Sequence, residues 1–136
     1  MSEDTPVVIV EDDPAHRDLI AHLLHSVAPR VRVQIFAVEE SDDLQAELTE
    51  AAPQGALVLL DRRLGAQDSL KLLAPLRDTR QDLSFVLMSA FLTPEDRADC
   101  LAAGACSVFE KPADLNAWRS ILIDLLGIDQ PQTRAA

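Results

Sequence analysis

Apolar residues come in five short runs along the chain: PVVIV (6–10), VRVQIF (31–36), ALVLL (56–60), SFVLMS (84–89) and CSVFE (106–110). Each has the length of a strand, and the four apolar residues in a row at Leu57–Leu60 announce a strand buried on both faces. Between them, apolar positions recur at helical spacing. Leu19, Ile20, Leu23, Leu24 and Val27 mark one face of a first helix, Leu44 and Leu48 a second, and Leu70, Leu73 and Leu76 a third. Leu101 marks a fourth, and Leu115, Trp118, Leu122 and Leu126 a fifth. Strand and helix alternate five times. The pattern predicts an α/β fold, a doubly wound five-stranded parallel sheet with five helices over both faces and right-handed crossovers.

Polar punctuation sets the boundaries. Asp13-Pro14 puts a capping side chain before a proline at the first helical position, and Thr93-Pro94-Glu95-Asp96 does so again with acids in the first turn. Pro53 and Gly55 close the second helix, and Gly127 stands where the last should end. One domain over 1–127 is expected, with a polar tail over 128–136 and no repeat or linker. Pro75 conflicts with its surroundings, because inside the third helix it removes one backbone bond and crowds the preceding turn. Either that helix kinks or its regular part begins after Leu70.

Composition narrows the class. The chain has 136 residues, 48% of them apolar, which is enough for a substantial core. No apolar run approaches the roughly 20 residues of a membrane span. The opening MSEDTP is acidic and polar, unlike a secretory signal, so a soluble cytoplasmic protein is expected. Net charge is −11, with 23 acidic and 12 basic residues, and no basic stripe suits nucleic acid. Cys100 and Cys106 are expected to be two buried thiols in a reducing compartment, neither a disulfide nor half a metal site.

The chemistry gathers at the strand ends, where sheets of this kind bind ligands. Glu11, Asp12 and Asp13 follow the first run, Asp61 ends the third, Ser89 ends the fourth and Lys111 follows the fifth. Carboxylates at contact distance repel, so a cation must join them or some must take up protons. An all-oxygen set suits Mg²⁺, which takes one or two protein carboxylates and keeps several waters. With Lys111 as a second cation and Ser89 as a donor, such a pocket accepts a phosphoryl group, with Asp61 placed to attack. Singly, each residue has a plain reading: Asp13 a helix cap, Glu11 and Asp12 solvated loop acids, Asp61 paired with Arg62 or Arg63, Ser89 a strand-end hydroxyl, Lys111 a surface charge. Their joint placement at the ends of strands one, three, four and five favours the pocket.

VVIVEDDP (7–14), LVLLDRRL (57–64), FVLMSA (85–90) and GACSVFEKP (104–112), in that order and spacing, resemble the receiver domains of two-component response regulators. The resemblance covers about 6–127 and implies the flavodoxin-like receiver fold and a bacterial signalling switch or phosphorelay intermediate that catalyses only its own phosphorylation and dephosphorylation. It implies that Asp61 is the phosphoacceptor, charged by a histidine kinase or histidine phosphotransfer protein. Asp12 and Asp61 would hold Mg²⁺ directly, Glu11 through water, and the carbonyl of Arg63 would be the backbone ligand. Ser89 would be the switch hydroxyl, and Lys111 the partner of the phosphoryl group, with a cis bond to Pro112. Modification would alter the surface of the fourth helix, fifth strand and fifth helix, which binds a downstream partner or forms a homodimer. Where the family commonly has a rotating aromatic this chain has Val108, with Phe109 beside it. After Asp61, where the family usually carries a proline and a glycine and then an Asp-Gly pair, this chain has Gly65, Ala66, Asp68 and Ser69, so an unusual segment is expected there. Arg63 and Phe91 stand where bulk would slow hydrolysis of the acyl phosphate.

Other readings compete. A receiver-like interaction module acting without phosphorylation is the alternative, and the intact set Asp61, Glu11, Asp12, Ser89 and Lys111 argues against it. An aspartyl-phosphate hydrolase of the haloacid dehalogenase type needs a second aspartate where Arg63 stands. A flavodoxin would place a flavin phosphate against Glu11, Asp12 and Asp13. His22 and His25 have ligand-like spacing but no third ligand, and His16 is placed to touch a partner's helix. Trp118 reads as core packing, with Ile121 and Ile123 partly exposed beside it.

Overall fold

The computed structural model describes residues 4–36, 43–64 and 67–127. Seven strands and five helices follow in order: β1 (Val7–Val10), α1 (Pro14–Val27), β2 (Val33–Phe36), α2 (Leu44–Ala51), β3 (Leu57–Asp61), β4 (Arg63–Leu64), β5 (Gln67–Asp68), α3 (Ser69–Thr79), β6 (Ser84–Ser89), α4 (Pro94–Ala103), β7 (Ser107–Glu110) and α5 (Leu115–Leu126). Five of the strands form one parallel sheet in the order β2-β1-β3-β6-β7. The five apolar runs are these five strands. The predicted tail over 128–136 lies outside the described residues.

Strand periodicity divides the core. Val7, Ile9, Leu57, Leu59, Val86 and Met88 point to one side, where α1 and α5 pack with Ile20, Leu24, Trp118 and Leu122. Val8, Val10, Val58, Leu60, Phe85 and Leu87 point to the other, under α2, α3 and α4. Continuing the count places Glu11 and Asp61 in step with the α1/α5 side, and Arg62 in step with the α3/α4 side. The chain leaves β1 toward β2 and returns across it to β3, so the order reverses between β1 and β3, where a crevice opens at the carboxyl ends.

Local chemistry explains the helix ends. Asp13 caps α1 by accepting from Ala15 N at 2.9 Å, with Pro14 following. Thr93 and Asp96 form a reciprocal capping box on α4. Gly127 ends α5 in the left-handed conformation. Gly104 ends α4 at φ +114°, and a Cβ there would lie 2.1 Å from Arg77 Cδ, so conformation and space both favour glycine.

Several expectations are corrected. Leu101 and Leu115 are 47% and 54% exposed. On α4 the inward position is Cys100, one residue and about 100° of helix away from Leu101. Leu115 is in phase with Trp118 and Leu122 but sits in the first turn, at the exposed end of that face. Cys106 is exposed rather than buried, while Cys100 is buried, and both are free thiols. Helix α3 runs from Ser69 through Pro75, so it does not start after Leu70. The Lys111–Pro112 bond is trans, not cis, the ordinarily favoured isomer. In the altered segment after Asp61, β4 pairs antiparallel with β5; Gly65 and Ala66 lie outside the described residues.

Candidate phosphoacceptor and metal site

Asp61 ends β3 opposite Met88 and is 7% exposed. Its Oδ1 accepts from Arg63 N at 3.1 Å and its Oδ2 accepts from Lys111 Nζ at 2.8 Å. Its main chain is held as well, since the fully buried Ser69 hydroxyl donates to Asp61 O. The carboxylate is therefore fixed at both oxygens, and each oxygen keeps a lone pair for other chemistry.

Lys111 follows β7, and its main-chain N donates to Ser89 O at 2.7 Å, which pins it to the end of β6. Its ammonium bridges Asp61 and Glu11, lying 2.5 Å from Glu11 Oε1. Burial pulls the ammonium down, but hydrogen bonds to Asp61 and Glu11 outweigh it and leave it raised above its ordinary value. Glu11 is completely buried. That burial, then the Asp61 carboxylate beside it, pushes Glu11 from its ordinary 4.5 up to about 8, against the pull of Lys111. Carboxylate oxygens of Glu11, Asp12 and Asp61 lie within 4.8 Å of one another. Three carboxyl groups thus crowd around one bridging ammonium, and the crowding is relieved in part by the proton that Glu11 retains. Its donors are hard oxygens, as Mg²⁺ requires.

Beside the cluster opens a cleft of about 380 Å³ lined by Asp61, Arg62, Arg63, Ser89, Phe91 and Lys111 among others. Ser89 reaches it, but its hydroxyl is engaged with the following loop, donating to Phe91 O at 2.6 Å and accepting from Phe91 N at 3.3 Å. Phe91 is 83% exposed at the rim. Val108 is buried on the α4 side of the sheet, and Phe109 packs edge-on against Trp118 at 5.6 Å on the other. Both are core residues.

The structure thus brings Glu11, Asp12, Asp61 and Lys111 together with Ser89 at the edge. Asp13 caps its helix instead. Asp61 pairs with Lys111 rather than with an arginine, because Arg62, on the other face, pairs with Asp68, the N-cap of α3. The Arg62 guanidinium also lies beside the buried Cys100 thiol, partly offsetting the upward push of burial on that thiol. Three participants had no clear sequence signal: the Ser69 hydroxyl, Arg62 as a bridge to α3, and Glu110, whose carboxylate accepts from Leu92 N at 2.9 Å. His16 Nδ1 lies 3.3 Å from Glu11 Oε1 and 3.4 Å from Lys111 Nζ, a proximity that helical spacing from Asp12 allows.

A buried aspartate–lysine pair among acids at the strand ends, on a sheet ordered this way, defines a receiver-type α/β protein. The model of the response regulator receiver domain matches residues 7–123, and the chain belongs to that family. It is 29% identical over 109 residues to a protein-glutamate methylesterase/protein-glutamine glutaminase of Syntrophus aciditrophicus, covering 79% of this chain and 30% of that one. It is 28% identical over 126 residues to the cyclic di-GMP phosphodiesterase response regulator RpfG of Xanthomonas campestris pv. campestris, covering 91% and 32%. The chain thus spans about a third of the length of these relatives. A CheY-like receiver domain protein of Methanospirillum hungatei superposes with a TM-score of 0.71 at 21% identity, covering 98% of this chain and 99% of that one. A receiver domain from Rhodospirillum rubrum gives 0.73 at 21%, covering 93% and 97%. Among the described residues no helix is long and apolar enough to cross a membrane.

Proposed function

We propose that the chain is a phosphorylation-dependent signalling switch or phosphorelay intermediate whose phosphoacceptor is Asp61. The observation that carries this reading is the Lys111 ammonium held between Asp61 and Glu11 at the mouth of an open cleft. Glu11, Asp12, Asp61 and the carbonyl of Arg63 would hold Mg²⁺, which supplies charge neutralisation of phosphoryl oxygens when bound.

The chain's own groups do the rest. Arg63 N and Lys111 fix the Asp61 carboxylate so that one oxygen can form a bond to phosphorus while the donor's N–P bond breaks and its imidazole departs. Lys111 balances the charge gained by the product. Ser89 turns from Phe91 to the phosphoryl group, and the α4–β7–α5 surface that meets a partner changes with it. A histidine kinase or histidine phosphotransfer protein is the donor this reading calls for, since a phosphohistidine can pass its phosphoryl group to a carboxylate. Arg63 and Phe91 at the rim restrict water and lengthen the life of the acyl phosphate.

Incubation with acetyl phosphate and Mg²⁺ should add one phosphoryl group by intact mass, and Asp61→Asn should abolish it. A wild type that stays unmodified by both acetyl phosphate and a panel of phosphorylated kinases would overturn the proposal and leave the interaction module that needs no phosphorylation.

A further inference from the structure

The loop between β6 and α4 is tied down more tightly than its exposure suggests. At its start, Ser89 is fixed by the β7 ladder, with Lys111 N donating to Ser89 O. At its end, Thr93 and Asp96 lock the first turn of α4. Between these anchors, two contacts hold the loop. The Ser89 hydroxyl bonds both polar groups of the Phe91 main chain, and Leu92 N donates to Glu110 Oε1 at 2.9 Å.

These contacts are mechanically linked. For Ser89 Oγ to donate toward Asp61 it must release Phe91 O, and both main-chain groups of Phe91 then need new partners. Release of Phe91 frees residues 90–92 to shift, and the Leu92–Glu110 bond resists that shift. Glu110 touches neither Asp61 nor the acidic cluster. It projects from the end of β7, next to Lys111, and its carboxylate is exposed.

We infer that Glu110 is a positioning residue: through Leu92 N it holds the Ser89 loop in the resting arrangement and sets how readily the switch turns. The inference rests on the proposed function, because it concerns the partner exchange of Ser89. If the acceptor-competent arrangement is a minor state, an anchor that favours the resting one lowers apparent affinity for any ligand of the other. Phe91, carried on the same loop, moves when the anchor gives way, so Glu110 also sets how often that exposed ring is offered to a partner.

The test uses BeF₃⁻ with Mg²⁺, which takes phosphoryl geometry on a carboxylate, titrated calorimetrically into wild type, Glu110→Ala and Glu110→Gln. Glu110→Ala is expected to bind about 3- to 10-fold more tightly, the worth of one hydrogen bond. Glu110→Gln loses the charge but keeps an acceptor oxygen, and should stay near wild type. In the wild type, the Leu92 amide should exchange with deuterium faster once BeF₃⁻ is bound. Unchanged affinity in Glu110→Ala, equal tightening in both variants (a charge effect), or a Leu92 amide equally protected with and without BeF₃⁻ would each overturn the inference while leaving Asp61 as acceptor. A wild type that binds no BeF₃⁻ overturns both.

Discussion

The two ends of the sheet solve the same problem differently. At the amino end, Arg80 and Asp82 pair at 2.9 Å, and the charges balance. Asp82 also accepts from Gly55 N at 2.8 Å, while the Arg80 guanidinium donates to Thr49 O at 2.9 Å and Pro53 O at 3.3 Å, covering the carbonyl end of α2. Three segments are clamped with no surplus charge. At the carboxyl end, the carboxyl groups of Glu11, Asp12 and Asp61 crowd together, Lys111 bridges Glu11 and Asp61, and Glu11 is wholly buried. Acids outnumber the ammonium there, and burial together with the neighbouring carboxylate makes Glu11 hold its proton up to about pH 8. A fold keeps such an imbalance where it is used, and the contrast separates a structural ion pair from a site.

Lys111→Ala should give the largest effect, because it removes the one ammonium from the overloaded end. Phosphoryl incorporation from acetyl phosphate should fall about 10²- to 10³-fold in a single-turnover assay, the usual cost of losing one preorganised charge partner. The metal-free protein should also lose about 3 kcal/mol in urea unfolding, since the buried Asp61 carboxylate loses its counter-charge, and added Mg²⁺ should restore part of it. Arg80→Ala, at the balanced end, should cost about 2 kcal/mol. It should leave both the Mg²⁺ response and phosphoryl incorporation unchanged. An Arg80→Ala protein that binds Mg²⁺ differently would break the division between the two ends.

The sheet was legible because buried parallel strands leave unbroken apolar runs, as β1, β3 and β6 do, while the edge strands β2 (VQIF) and β7 (SVFE) carry shorter, interrupted ones. The acids and Lys111 were legible for a related reason: a charge ending such a run, as Asp61 ends LVLL, is costly enough to need a purpose. Residues that act across the sheet were not. Arg62 looks like a partner for Asp61 in the sequence, but strand alternation sends it to Asp68 on the opposite face. Ser69 and Glu110 act through single hydrogen bonds to main chain, and main chain has no sequence signature. Leu101 and Leu115 misled because one periodic leucine per turn marks a face only when something lies over it.

Glu11→Gln sharpens the comparison from the other side. The amide keeps the size of the acid and removes a charge that the metal-free cluster cannot neutralise. We expect the metal-free variant to be more stable than wild type by on the order of 1–2 kcal/mol at pH 8, and its Mg²⁺ affinity to be lower. The gain should depend on pH in a fixed sense. Glu11 is raised from 4.5 to about 8 in the folded protein, so between those values the folded state holds the proton that the unfolded state has released. The stability linked to Glu11 is therefore complete below about pH 4.5 and is lost as pH rises toward 8. Near pH 5 the protonated acid and the amide are close equivalents, and the gap between variant and wild type should nearly vanish.

Asp82 should show the smallest effect and the opposite sign. The hydrogen bond from Arg80, and then that from Gly55 N, hold its carboxyl below the usual carboxylate range. The folded state therefore releases this proton more readily than the unfolded state. Its contribution is present above about pH 4 and is lost as pH falls further. The pair sits at the surface with its side chains 17% and 29% exposed, open enough to be screened, so Asp82→Asn should cost roughly 0.5 kcal/mol at pH 7, and the cost should shrink when urea melts are repeated at pH 3. Salt should weaken it too, because an exposed pair is screened. If instead the Asp82→Asn penalty grew on acidification, Asp82 would be carrying a proton that only a charge-crowded site provides, and the amino end could no longer be read as the balanced one.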